Sequence, residues 1–222
     1  MALSVNHRGQ EALFCNESHL GVSQKKRFSE MIFWLLSEHQ PTISELTVFE
    51  LILNLSIDHG PDTPSALAII STAQAGKSIS EAVAAGISQI NDTHGGAQEL
   101  LMEILYKMVK EKIPAKTIID DYLNRKARVA GFGHRLYTEF DPRAELIINT
   151  LEKQKLGQEF ISAGRRVGRE LFKQTGKKLP LNIDGAIAIA LCAFGWSPAL
   201  GKAVFIIART PGLCGQYLNA KN

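Results

Sequence analysis

The chain has 222 residues, of which 45% are hydrophobic and 21% charged, and its formal net charge at pH 7 is +3. This is the composition of an ordinary globular protein, and so small a net charge argues against nucleic acid as a partner. The apolar run AVFIIA at 203–208 is far shorter than the roughly 20 residues that span a bilayer. We therefore predict a soluble protein that binds neither nucleic acid nor a membrane.

The three cysteines, Cys15, Cys192 and Cys214, lie far apart in the sequence, and no CxxC pair occurs. An odd number at wide spacing is not typical of a disulfide framework or a zinc knuckle. The N-terminus lacks an apolar segment of signal-peptide length. These features predict a reducing, cytoplasmic setting.

The first 50 residues contain two different patterns. Residues 1–24 are polar and have no clear period, so we predict no regular structure there. From Phe28 onward, apolar residues recur at helical spacing. After Pro41, Thr42 and Glu45 form a capping box, which predicts a helix over about 43–56.

Helical signals continue along the rest of the chain. A second capping box, Ser78 with Glu81, predicts a helix through EAVAAGISQIN. The other predicted helices cover about 64–74, 94–111, 115–127, 142–153, 157–174, 183–194 and 198–218. Because no alternating strand pattern bounded by hairpin turns is present, we predict an all-α fold.

A shift in composition indicates the domain organisation. Residues 100–180 are rich in lysine and amphipathic, whereas 43–99 and 181–215 are apolar with many Ala, Gly and Ser residues. We predict a discontinuous, N-terminally short large helical domain at 1–99 and 187–222. A smaller helical domain at 100–186 is inserted into it.

Three of the six histidines, His59, His94 and His134, are each adjacent to glycine at a junction where one predicted helix ends or another begins. Glycine permits close approach of a ligand, and helix N-termini favour anions. Helix capping explains any one of these histidines, but three of them together favour a site. Asp184, just before an apolar helix, is either a capping residue or a general base.

Other kinds of site lack their sequence signatures. No HExxH, HxH or His/Cys pair at ligand spacing indicates a metal site. No GxSxG elbow, P-loop or GxGxxG segment indicates a nucleophile or a bound nucleotide. Arg143 follows an Asp-Pro step and Arg209 lies in IIARTPG, and guanidinium groups bind carboxylates in bidentate fashion. The pattern favours proton transfer at carbon on a polycarboxylate.

Five motifs in order resemble the citrate synthase family, including its shorter relatives, the citryl-CoA lyases and the C-terminal module of ATP-citrate lyase. The motifs are DHGPDTPSA (58–66), DTHGGAQE (92–99), GFGHR with DPR (131–143), NIDGA (182–186) and ART-G (208–212). The intervals between them also look like those of the family. The resemblance covers about 28–218.

The resemblance implies three catalytic residues. His94 would hydrogen-bond the thioester carbonyl and stabilise an enolate, which needs an oriented donor. Asp184 would remove the methyl proton of acetyl-CoA in the condensing direction. His134 would donate to the ketone oxygen of oxaloacetate, or take the hydroxyl proton of citryl-CoA during cleavage.

The resemblance also implies the binding residues and partners. The substrate carboxylates would be held by His59, Arg143 and Arg209, with Arg135 as a further carboxylate or CoA contact, and Gly131 and Gly133 would form the CoA loop. A coenzyme A thioester would be the co-substrate of oxaloacetate or citrate, with no permanently bound cofactor and no metal. The family pattern is an all-α homodimer in which a small lobe closes over the substrates.

The chain departs from full-length citrate synthases in being much shorter. Most of the N-terminal region is missing, and the sequence stops at Asn222, before the segment that gives an arginine to the partner's site. The short length and the DHGP and GHR motifs favour citryl-CoA cleavage to acetyl-CoA and oxaloacetate. A citrate synthase, a methylcitrate-type enzyme and a non-catalytic truncated homologue remain the alternatives.

Overall fold

The structure is a computed structural model that describes residues 6–8, 11–91, 94–134 and 136–221. Within these residues the chain forms eleven α-helices and three short strands, which confirms the predicted all-α class. The chain divides into two compact units, Met1–Leu51 and Ile52–Asn222. All the candidate site residues belong to the second unit.

The first unit begins with a small antiparallel sheet of three strands. The strands and the helix that follows them are β1 Asn6–Arg8, β2 Glu11–Phe14, β3 Glu17–Ser18 and α1 His19–Lys25, and the strands pair in the order β1-β2-β3. The prediction of no regular structure over 1–24 is therefore wrong. Strands of two to four residues are too short to show alternation, and the turn between β2 and β3 relies on positive φ angles at Cys15 and Asn16.

Ten further helices follow in the part of the chain that the structure describes. They are α2 Phe28–Ser37, α3 Ile43–Ser56, α4 Pro64–Gln74, α5 Ile79–Ser88, α6 Ala97–Val109, α7 Ala115–Asn124, α8 Pro142–Lys153, α9 Gln158–Thr175, α10 Ile183–Ala193 and α11 Leu200–Lys221. Each of them overlaps a predicted helix. None of the described helices is long and apolar enough to cross a membrane.

Both predicted capping boxes are present. The Thr42 hydroxyl accepts a hydrogen bond from the Glu45 backbone N–H at 3.2 Å, and the Glu45 carboxylate accepts one from the Thr42 N–H at 2.8 Å. Ser78 and Glu81 form the same pair of contacts at 3.4 and 2.9 Å. Each box satisfies backbone donors at a helix start within four residues of sequence, which is why the pattern alone located it.

In the second unit, α10 is buried from Gly185 to Cys192. Its residues from Ala186 to Cys192 are at most 1% exposed, and α6, α8 and α9 pack against it. A helix that is apolar on all sides can be stable in water only in such an environment. The first turn of α10, which carries Asp184, therefore lies deep in the fold.

The loop that precedes His134 is fastened to the start of α10. The Asn182 backbone N–H donates to the Gly131 carbonyl at 3.0 Å, and its side-chain amide donates to the Gly133 carbonyl at 2.9 Å. A Cβ on Gly185 would lie 2.4 Å from the Gly131 oxygen, so this close approach requires glycine. These contacts bring His134 next to the helix that carries Asp184.

Candidate active site

One cavity of about 170 Å³ brings together six of the residues predicted from the sequence. They are His59, His94, His134, Arg143, Asp184 and Arg209. Thr63, Gly95, Asn182, Ile183 and Phe205 complete the lining. Side chains from distant parts of the sequence thus face one small space.

The two predicted glycines, Gly131 and Gly133, are not among the residues that line this cavity. Gly133 lines a second cavity of about 740 Å³, which shares His134 with the first. Gly131 is buried, and a Cβ there would lie 2.5 Å from the Leu101 side chain, so it serves packing and borders neither cavity. Arg135 lies outside the described residues.

The hydrogen bonds of His134 define its tautomer. Its Nδ1 accepts from the backbone N–H groups of Leu136 and Tyr137 at 3.0 and 3.2 Å. The hydrogen of the neutral imidazole is therefore assigned to Nε2. That nitrogen lies 3.2 Å from Nη2 of Arg143, so two donors face each other. An acceptor oxygen that contacts both would satisfy this arrangement.

Arg143 is held by Asp141, which is not among the site residues predicted from the sequence. Asp141 is 1% exposed, and its carboxylate accepts from the backbone N–H, Nε and Nη2 of Arg143 at 2.8–3.0 Å. It also accepts from the Ile183 N–H at 3.1 Å, which ties α8 to α10. The Arg143 contacts hold the pKa of this carboxyl below its ordinary value although burial opposes them. The Asp-Pro step, an N-cap followed by Pro at N1, was the available signal.

His59 lies on the other side of Arg143. Its Nδ1 is 3.3 Å from Nη1 of Arg143, and because arginine only donates, this nitrogen accepts. Burial lowers the pKa of His59, and the charges of Arg143 and Arg209 lower it further. His59 is therefore a neutral imidazole near pH 7.

Asp184 has an acidity unlike that of an ordinary aspartate. Burial raises its pKa to about 6, against the opposing charges of Arg143 and Arg209. Part of its surface remains accessible and faces the cavity. The N-cap of α10 is Asn182, whose side chain accepts from the Gly185 N–H at 3.1 Å, so Asp184 is not the cap. A carboxyl with a pKa near 6 can accept or donate a proton at neutral pH.

The His94 ring is hydrogen-bonded through its Nε2 to the hydroxyl of Ser65 at 3.0 Å. Ser65 is fully buried in the first turn of α4. Burial lowers the pKa of His94, with further lowering from Arg209 and His59. His94 is thus a neutral ring oriented by a buried serine.

Arg209 is the buried cation of the site, at 5% exposure. Its Nε donates to the Ser56 carbonyl at 2.7 Å, and its guanidinium lies 4.7 Å from the centroid of the Phe205 ring. The same ring is so close to Gly95 that a Cβ there would lie 2.2 Å from it. A side chain at 95 would therefore displace the ring that supports Arg209.

Among the described residues, no group of three or more His, Cys, Asp or Glu side chains is arranged to hold a metal ion. The cavity instead combines two guanidinium groups, neutral imidazoles and one carboxyl of raised pKa. This set can bind carboxylates and move a proton at a nearby atom.

Comparison with known proteins places the chain among enzymes of one family. The family description "Citrate synthase, C-terminal domain" matches residues 2–222. The solved structure of citryl-CoA lyase from Hydrogenobacter thermophilus is 34% identical, with a TM-score of 0.93 over 100% of this chain and 86% of that one. The peroxisomal citrate synthase of Dictyostelium discoideum is 30% identical over 90% of this chain. The probable ATP-citrate synthase subunit 1 of Schizosaccharomyces pombe is 27% identical over 97%.

The chain spans only part of these curated relatives, 42% of the Dictyostelium protein and 38% of the Schizosaccharomyces protein. The family match nevertheless extends over nearly all of its 222 residues. On this evidence the chain belongs to the citrate synthase family.

Proposed function

We propose that the protein cleaves citryl-CoA into acetyl-CoA and oxaloacetate by a retro-Claisen reaction, and that it catalyses the reverse condensation at the same site. The observation that carries the proposal is the single cavity lined by three histidines, two arginines and Asp184. Similarity to a citryl-CoA lyase along the whole chain favours cleavage over citrate synthesis.

In the condensing direction, Asp184 takes a proton from the methyl group of acetyl-CoA. The raised pKa supports this role, because a carboxylate with a pKa of about 6 is a stronger base than an ordinary aspartate and is still ionised at pH 7. His94 donates to the thioester oxygen of the resulting enolate. With the Ser65 hydroxyl donating to Nε2, the neutral His94 ring carries its hydrogen on Nδ1, which is then the donor.

His134 acts at the oxygen of the second substrate. Its Nε2–H and the nearby guanidinium of Arg143 are two donors 3.2 Å apart, and in our proposal the ketone oxygen of oxaloacetate accepts a hydrogen bond from both. Both stabilise the negative charge that develops when the carbon–carbon bond forms. Cleavage runs the same steps backwards, starting from protonated Asp184 and from His134 without its Nε2 hydrogen. The citryl hydroxyl returns this hydrogen to Nε2 as the bond breaks, and Asp184 protonates the acetyl carbon.

The substrate carboxylates are bound by His59, Arg143 and Arg209, and we retain Arg135 as a further carboxylate or CoA contact. Arg209 and Arg143 both line the cavity, and their two positive charges favour a dianionic or trianionic substrate. The Asp141 carboxylate occupies only part of the donor set of Arg143, so the guanidinium can still contact a substrate.

The CoA moiety of the thioester occupies the second cavity in this proposal. That cavity shares His134 with the first, so an acyl group entering from it ends at the reacting centre. It is lined by Gly133 and by two cations, Arg128 and Lys177, which suit the phosphates of CoA. Gly131 contributes by holding the loop against α10.

The domain division predicted from the sequence extends this proposal. In it, 100–186 is a lobe that closes on a body formed by 1–99 and 187–222, and the cavity lies at their junction. The body supplies His59, His94 and Arg209, and the lobe supplies the rest. We propose further that the enzyme works as a homodimer, and that it does so in the cytoplasm, where free thiols such as those of Cys15, Cys192 and Cys214 persist.

One experiment separates the candidate reactions. Purified protein is given citryl-CoA, and acetyl-CoA, oxaloacetate, citrate and free CoA are measured together. A lyase yields acetyl-CoA with oxaloacetate. A citrate synthase, which the similarity to the Dictyostelium enzyme keeps as the second candidate, yields citrate with free CoA.

Replacing acetyl-CoA by propionyl-CoA in the condensing direction tests for a methylcitrate-type enzyme. Light scattering on the same sample gives the oligomeric state. A folded protein without turnover in either direction would leave the non-catalytic homologue and remove the proposal.

A further inference from the structure

Gln98 is a fully buried polar residue in the first turn of α6, and the family resemblance gives it no role. Its side-chain Nε2 donates to Oδ1 of Asp184 at 2.9 Å. This is the single hydrogen bond recorded for the Asp184 side chain among the described residues. The two residues are 86 positions apart, and the packing of α6 on α10 brings them together.

The side-chain oxygen of Gln98 shows that its amide group has one specific orientation. Its Oε1 is buried and has no hydrogen-bond partner among the described residues. Such an unpaired buried acceptor is costly. If the amide were turned round, however, Oε1 would face the Asp184 carboxylate and the two would repel. The bond to Asp184 therefore decides the orientation.

Packing also keeps Gln98 in place. A Cβ on Gly201 of α11 would lie 3.0 Å from the Gln98 Cβ, so the two helices approach each other closely at this point. The side chain is thus confined on the α11 side and directed towards α10. A confined donor is suited to fixing the angle of a carboxylate.

We propose that Gln98 is the positioning residue of the catalytic carboxylate: it holds Oδ1 of Asp184, and this leaves Oδ2 as the oxygen that exchanges a proton with the acetyl carbon. The inference rests on the proposed function. The amide suits both states of Asp184 without turning, because its Nε2–H donates to Oδ1 of the carboxylate and equally to Oδ1 of the acid, whose proton is on Oδ2. Asp184 therefore keeps one orientation through the reaction.

The test compares wild type with Gln98→Met and Gln98→Glu. Methionine has a similar length but donates no hydrogen bond, so the ionised form of Asp184 loses a stabilising contact and its pKa rises. Glutamate adds a like charge and raises it further. Met102→Leu, a packing change one turn along the same buried helix, is the matched control.

The readouts are the pH profile of condensation and the isotope effect with trideuteroacetyl-CoA. In Gln98→Met the acid limb of the profile moves up by about one pH unit and the isotope effect increases. The rate at pH 7 falls about 10-fold, of which about 2-fold comes from the smaller ionised fraction of Asp184 and the rest from its lost positioning. Gln98→Glu moves the limb further in the same direction, and it serves as the test if the methionine variant does not fold. Met102→Leu leaves both readouts at the wild-type values.

The possible failures are distinguishable. An active wild type with unchanged profile and isotope effect in the folded Gln98 variants overturns the positioning role and leaves the proposed function intact. A wild type that is inactive in both directions overturns the proposed function, and this inference with it.

Discussion

Two sets of hydrogen-bonded side chains at the cavity differ in how their charges are paired. We call His59, His134, Asp141 and Arg143 the arginine side, and the two pairs Ser65–His94 and Gln98–Asp184 the carboxylate side. On the arginine side, one guanidinium contacts a carboxylate and two imidazoles within 3.3 Å. On the carboxylate side, the one charged group has a neutral amide as its recorded partner. The several contacts of Arg143 hold its guanidinium in a geometry suited to binding a carboxylate. Asp184, which is buried with one such partner, instead has a raised pKa.

This comparison predicts the largest loss of activity for Asp184→Asn, which removes the general base but keeps the size and shape of the side chain. In our proposal kcat falls about 10²- to 10⁴-fold, the range expected for loss of general acid–base catalysis. Binding of citrate or oxaloacetate stays close to that of wild type, because the arginine side is intact. Steady-state kinetics and calorimetry measure the two quantities. Asp121→Asn, at an exposed ion pair on α7, is the matched control and keeps full activity.

The arginine side is tested by Asp141→Asn. Asp141 has no exposed side-chain surface and Arg143 retains 18%, so the variant leaves a largely buried guanidinium without its counter-ion. We expect the free energy of unfolding to fall by about 3 kcal/mol and carboxylate binding to weaken. Glu152→Gln, which breaks an exposed pair with Arg165, should cost at most about 1 kcal/mol. Urea denaturation compares the two, and equal losses would mean that Asp141 is not a structural clamp.

The same Asp184→Asn variant, which should lose activity, is expected to gain stability at pH 7. Asp184 has a folded-state pKa of about 6 against an ordinary value of 3.8, so the folded state holds its proton more tightly. The contribution of Asp184 to wild-type stability therefore falls as pH rises from about 4 to about 6, and at pH 7 the variant should be more stable by roughly 3 kcal/mol. The gain disappears below pH 4. Unfolding curves at pH 4 and pH 7 measure it, and a constant difference would contradict the raised pKa.

The smallest effect is expected for Ser65→Ala, which removes the hydrogen bond to His94. Loss of one neutral hydrogen bond is worth about 1 kcal/mol, or roughly a 5-fold decrease in kcat. Ser71→Ala, an exposed position on the same helix, is the control and has no effect on the rate. A larger loss for Ser65 would show that the orientation of His94 depends on this contact alone.

Local interactions explain what was predictable from the sequence. The helix starts at Thr42 and Ser78 depend on bonds that span three residues, so the pattern was sufficient. The same holds for the order of the His, Asp and Arg motifs, through which the family was recognised and six cavity residues were named. The short strands of the first unit escaped prediction because two to four residues carry no readable period.

Tertiary structure alone decided the properties that make these residues a site. The sequence did not indicate Gln98, because its partner Asp184 is 86 positions away. The Asp-Pro step marks Asp141 as an N-cap but does not show its contact with Ile183, 42 positions away. Nor did the sequence indicate the raised pKa of Asp184, which arises from burial of the α10 N-terminus within the helical core. The sequence by itself determined the helices, the family and the residue types. Packing determined which of these residues are charged, oriented and close enough to act together, because burial and long-range contacts exist only in the folded chain.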